Sequence, residues 1–300
     1  MAVAVGTDVR GLGPAYAAAR ARAGLIALLL GLAALPWWST AHRMAGMDAG
    51  PGTDVGGIAW FIGVWVVMMA AMMFPSIAPM VVIFARMQSG RREREAEAPA
   101  GLTALFVTGY LVSWAAAGLA GYAVFRAGDA LFGDAFSWDE AGPYLAGGLI
   151  VAAGAYQLTP LKDACLRQCR NPMMFLLTHS RPGRGGALAM GIEHGAFCVG
   201  CCWMLMVALF ALGVMSIGWM AFIAALIAVE KLLPWQAFAN RGIAILLVVL
   251  GLGVALAPED VPGLTEPDSA QADQAMQSMG MAPDDEMGAG RSGAGMNDGP

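Results

Sequence analysis

Long apolar runs alternate along the chain with short polar and charged stretches, and the runs set the architecture. Seven can be marked, at about 18–38, 57–84, 101–125, 143–161, 187–212, 215–233 and 242–257. Each is close to the roughly 20 residues that an α-helix needs to cross a bilayer. The first closes on Pro36, Trp37 and Trp38, an aromatic pair of the kind found at membrane interfaces. The fifth and sixth are almost continuous, and only the stretch from Gly213 to Gly218 offers a turn between them. The pattern predicts an all-α polytopic membrane helical bundle of about seven transmembrane helices. Its expected parts are an N-terminal segment 1–17, a helical domain 18–257 and a polar tail 258–300.

Basic residues orient this bundle. Arg10, Arg20 and Arg22 precede the first run, Arg86, Arg91, Arg92 and Arg94 follow the second, and Lys162, Arg167, Arg170, Arg181 and Arg184 follow the fourth. Lys231 and Arg241 lie between the sixth and seventh. With seven spans, fourteen of the 17 basic residues share one side, which the positive-inside rule makes the cytoplasm. A six-helix count destroys that asymmetry. The expected topology is therefore N-terminus cytoplasmic and C-terminus periplasmic, in a bacterial inner membrane. The tail, acidic and rich in Gly, Pro, Ser and Asp, is expected to be disordered. Composition agrees with a membrane protein: 58% of residues are hydrophobic and 13% charged, against about 25% charged in soluble domains. The bilayer is the expected partner and no nucleic acid is.

Soft donor groups interrupt the apolar pattern. The fifth run carries HGAFCVGCCWMLM, residues 194–206. At 100° per residue, His194, Cys198 and Cys201 fall within about 60° of one helix face, with Cys202 about 40° further round. Thiolate and imidazole suit Cu(I) and Zn(II), and thioether shifts the preference towards Cu(I). Gly191 and Gly195 form a GxxxG beside this face, which admits a second helix at close range. The second run is the candidate partner. Its Met68, Met69, Met72 and Met73 cover one side, and Pro75 and Pro79 are expected to break its backbone ladder just below. Packing is the competing explanation for these methionines, which adapt to irregular gaps.

Two further sets of donors flank this one. Cys165 and Cys169, at i and i+4 after the fourth run, share a face if that segment is helical. They form a candidate second site on the cytoplasmic side, where a stable disulfide is not expected. On the outer side, His42, Met44 and Met47 occupy a short loop, and Met276, Met279 and Met281 lie in the tail. Thioethers survive an oxidising compartment, so these are candidates for outer metal capture. Glu193, Glu230 and Lys231 sit near the cytoplasmic ends of their spans. An ionisable residue at mid-membrane costs about 2.5–3.5 kcal/mol, so these three are read as proton carriers or as a structural ion-pair network.

The segments WVVMMAAMMFPS, YQLTPLKDACLRQCRNP and THSRPGRGGALAMGIE with HGAFCVGCCWMLM together resemble a bacterial family of unknown function, described as predicted metal-binding integral membrane proteins. The resemblance covers about residues 57–235. It implies metal binding through the matching His194, Cys198, Cys201, Cys202, Cys165 and Cys169, and it implies no settled activity.

Two functions remain open on the sequence. The first is soft-metal binding, with Cu(I) moved across the membrane or handed to a metallochaperone or a metalloenzyme subunit, and Zn(II) as the other candidate metal. The second is a membrane thiol-disulfide oxidoreductase that uses the CxxC pair Cys198 and Cys201. No GxxxxGK[ST] nucleotide-binding loop occurs, so transport driven by this chain's own ATP hydrolysis is not expected, and a non-enzymatic role is favoured. Gly-rich runs three and four point to close helix packing, within one chain or in a homo-oligomer.

Overall fold

The structure, a computed structural model, describes residues 12–43, 57–91, 99–132, 141–213, 216–233, 235–262 and 264. Among these the chain is all-helical, with nine α-helices, a closing 3-10 turn and no strand. The helices are α1 (Leu12–Arg43), α2 (Ile58–Arg91), α3 (Pro99–Phe132), α4 (Gly142–Tyr156), α5 (Pro160–Arg170), α6 (Pro172–His179), α7 (Gly183–Leu212), α8 (Ile217–Leu232) and α9 (Gln236–Leu256). Each of the seven apolar runs falls on a different one of them, the fourth only in part. Four, α2, α3, α7 and α9, are long and apolar enough to cross a membrane. α4 and α8 are equally apolar but only 15 and 16 residues long. The apolar stretch of α1 is Ala23–Leu35. Large apolar side chains are exposed along the outer faces, among them Leu28 and Leu35 of α1, Val124 of α3, and Ile245, Val249 and Leu256 of α9, as suits helices bathed in lipid.

The sequence pattern needs three corrections. The fourth run ends early: α4 stops at Tyr156, and the cysteine-bearing segment after it forms a separate helix. Thr159 caps α5, its Oγ1 accepting from Lys162 N at 3.3 Å, with Pro160 in the first turn. A Pro is well placed there because its missing N–H has no partner to lose. Asn171 and Pro172 then end α5 and start α6. The second correction concerns Pro75 and Pro79, which lie inside an uninterrupted α2. Proline at 75 frees the carbonyl of Ala71, and Trp37 Nε1 of α1 donates to that oxygen at 3.3 Å. A neighbouring helix satisfies the freed group, so the ladder need not open.

The third correction is the partner of the GxxxG face. Gly191 and Gly195 pack against α3, not α2. A Cβ at Gly191 would collide with the Phe106 carbonyl, and one at Gly109 would collide with the Leu188 carbonyl. Ser113 Oγ donates to Ile192 O at 2.8 Å across the same seam. A matching seam joins α4 and α9, where Gly147 and Gly251 face each other. α7 ends at Gly213, whose φ of +103° is open to glycine and strained for other residues. That residue makes the break between the nearly continuous fifth and sixth runs.

The 3-10 turn Pro258–Asp260 opens the expected tail, and Val261 packs into the core. The rest of that tail and the N-terminal segment before Leu12 lie outside the described residues.

Candidate metal centre

Two helices build the centre. α7 brings Cys198, Cys201 and Cys202 into the interior, and the first two are 0% exposed. α5 lies against it with a single stripe of Lys162, Cys165, Leu166 and Cys169, spaced i, i+3, i+4, i+7. The sulfurs of Cys169, Cys198 and Cys201 all lie within 4.8 Å of one another, and Cys169 Sγ is 3.8 Å from Cys201 Sγ. The two cysteine clusters read as separate in the sequence therefore meet, through Cys169, in one group of thiols. Cys165 is the half-buried neighbour one turn back, close enough to α7 that a Cβ on Gly200 would come within 2.7 Å of its Sγ. Burial and the facing Cys201 push the Cys165 thiol upward.

Within α7 the thiols of Cys201 and Cys202 donate back to Cys198 O, at 3.1 and 2.9 Å. Such i→i−3 and i→i−4 bonds hold the side chains against their own helix. Cys202 stays outside the three-sulfur group. His194, one turn before Cys198, also stays outside it. Its ring sits among those of Phe175, Phe106 and Tyr110, with centroids 5.1, 6.0 and 6.1 Å away. Among the described residues its buried Nδ1 has no hydrogen-bond partner.

Two side chains that the sequence reading did not single out for the centre complete this arrangement. Tyr110 of α3 places its hydroxyl 3.0 Å from Cys198 Sγ, a reach made possible by the glycine seam between α3 and α7. Lys162 of α5 pairs with Glu230 of α8 at 2.7 Å, and both are almost wholly buried. Arg170 reinforces this join by donating from Nη1 to Glu230 O at 2.7 Å and from Nη2 to Leu233 O. On its other flank α5 is tied to α9, where Asn240 Nδ2 and Gln236 Nε2 donate to Asp163 Oδ1 at 3.2 and 3.4 Å. α5 is thus fixed from both sides, and Cys169 with it. The signal for Lys162 was present in the sequence: a lysine at i−7 from Cys169 falls on the same buried stripe.

The remaining candidates take several places. Met68, Met69, Met72 and Met73 are all buried in α2, and Met73 reaches the edge of the centre, its Sδ 4.0 Å from Lys231 Nζ. Lys231 itself donates to Cys198 Sγ at 3.0 Å. Glu193 forms an ion pair with Arg181 at 2.5 Å near the start of α7. His42 is exposed and packs edge-on against Trp38. Met44, Met47, Met276, Met279 and Met281 lie outside the described residues.

Chemically, the centre offers three convergent thiols from two helices, Cys198 and Cys201 fully buried and Cys169 partly so, with an ammonium beside one sulfur. It is a donor set for a soft ion. No curated protein and no solved structure matches the chain. Residues 62–254 match the family model PpoB2, described as a copper chaperone. That stretch is more than half of the chain and holds all five cysteines and Lys231, so the chain belongs to this copper chaperone family.

Proposed function

We propose that this protein binds Cu(I) as cargo through Cys169, Cys198 and Cys201 and delivers it from within a bacterial inner membrane to a recipient protein. The observation that carries this reading is the convergence of three thiol sulfurs within 4.8 Å, in a chain of the copper chaperone family. Zn(II) in a structural site takes four ligands in a tetrahedron, and three thiols leave that shell incomplete. Cu(I) is content with three sulfurs. A site with an open coordination position also suits transfer, because an incoming thiol adds before a resident one leaves. Cys169 is the natural resident to leave, since it alone belongs to the short helix α5. Each thiol gives up its proton on binding, and the hydrogen bond from Cys201 to Cys198 O breaks with it.

In this reading seven spans cross the membrane, with the basic loops and α5 on the cytoplasmic side. The methionines of α2 line the neighbourhood of the centre rather than its first set of donors. The rival reading is thiol-disulfide exchange, which the 3.8 Å approach of Cys169 and Cys201 favours. X-ray absorption at the copper edge of protein loaded anaerobically with Cu(I) separates the two. The delivery reading predicts a shell of three sulfurs in the parent, and no bound copper in Cys169→Ser. A shell of nitrogen and oxygen, or a protein that takes up no copper and is isolated with a Cys169–Cys201 disulfide, refutes it.

A further inference from the structure

Glu230 and Lys231 are adjacent in α8, and the sequence leaves them open as proton carriers or as part of a structural ion-pair network. The structure divides them. Glu230 Oε2 accepts from Lys162 Nζ at 2.7 Å, and its backbone carbonyl accepts from Arg170. Lys231 turns the other way, into the thiols. Its Nζ lies 3.0 Å from Cys198 Sγ, 3.5 Å from Ser76 Oγ and 4.0 Å from Met73 Sδ. Among the described residues no carboxylate forms an ion pair with it. A half-buried ammonium without a paired anion is costly, and of the groups it touches only the Cys198 sulfur can carry negative charge.

We infer that Lys231 is the built-in counter-charge of the cargo site, a positioning residue that sets how tightly the sulfurs hold Cu(I). This rests on the reading of Cys169, Cys198 and Cys201 as the Cu(I) site. Three thiolates around one monovalent ion leave a doubly negative cluster. An anion of that kind in a low-dielectric interior is stabilised only by a fixed cation or by donors. Lys231 supplies the cation at Cys198, and Tyr110 supplies a donor to the same sulfur at 3.0 Å. The split of the Glu230–Lys231 pair is what frees the charge for this use: Lys162, carried in on the helix that brings Cys169, takes over Glu230. The ammonium is also within reach of both Cys198 Sγ and Met73 Sδ, so α2 meets the thiols through a cation.

The test is a competition titration of anaerobic protein in detergent with a chromophoric Cu(I) chelator. Lys231→Met should weaken Cu(I) binding by about tenfold or more, the scale of losing one charged hydrogen bond, while one copper per chain still binds at saturation. Lys231→Arg, which keeps the charge, should retain most of the affinity. The metal-free Lys231→Met protein should melt no lower than the parent, which a scaffold role would not allow. Unchanged or tighter binding in Lys231→Met overturns the inference, as does equal loss in Lys231→Arg. If Lys231→Met does not accumulate as folded protein, the metal-free Cys198→Ser and Cys198→Ser/Lys231→Met proteins decide. The double variant should be the more stable, because it removes the stranded cation; lower stability in the double variant overturns the inference. A parent protein that binds no Cu(I) refutes the copper reading, and the metal-free comparison still tests the coupling between Lys231 and Cys198.

Discussion

At the residue scale, the three sulfurs are not equivalent to the other soft donors nearby. Cys202 is as buried as its neighbours, yet its thiol is turned to Cys198 O at 2.9 Å and stays outside the three-sulfur group. Cys202→Ala should therefore keep the copper content of the parent, measured by elemental mass spectrometry, whereas Cys201→Ser should lose it. Equal loss in both would make Cys202 a ligand and the site four-sulfur. The buried Lys162–Glu230 pair makes a second prediction. Lys162→Met strands a carboxylate at 1% exposure and should cost about 3–5 kcal/mol of stability. Lys162→Met with Glu230→Gln should recover much of that. Thermal unfolding in detergent reads both, and an unaffected single variant would mean that the pair does not anchor α5.

At the scale of elements, the helices were legible because apolar runs and their punctuation are local. Thr159-Pro160 and Asn171-Pro172 mark the ends of α5 plainly, and Gly213 marks the end of α7. The shared face of His194, Cys198 and Cys201 followed from helical period alone. Pairings between helices were not legible in the same way. Period says which residues share a face and not which helix that face meets, so the GxxxG of α7 was matched to the methionine helix when its partner is α3. Tyr110 was missed for that reason, as it reaches Cys198 only because Gly109 and Gly191 let two backbones touch. The union of Cys169 with the α7 cysteines was hidden for the same reason, since the shared face of Cys165 and Cys169 does not say which helix it meets. The seam itself can be tested. Gly191→Ala drives a methyl group into the Phe106 backbone and should cost about 1–3 kcal/mol, the range for overpacking. Gly185→Ala, with nothing within 4 Å of the added Cβ, is the matched control and should be close to neutral in the same melt.

At the scale of the whole molecule, four helices have the length and apolarity to cross a membrane, and the shorter α4 and α8 pack beside them. The placement of fourteen basic residues on alternate connections predicts that a reporter active only outside the cytoplasm will be active when fused after Leu264 and silent when fused in the connection 92–98. The reverse pattern would invert the topology and put α5 on the outer side. What unites these scales is that one short helix, α5, brings a ligand, Cys169, and a cation for Glu230, Lys162, to the same place. The most direct test of the account is therefore copper per chain in anaerobically purified parent and Cys169→Ser proteins. The account predicts one Cu(I) per parent chain and its loss in Cys169→Ser, although that variant leaves the whole HGAFCVGCCWMLM helix intact. Copper retained in Cys169→Ser would confine the site to α7 and contradict the account.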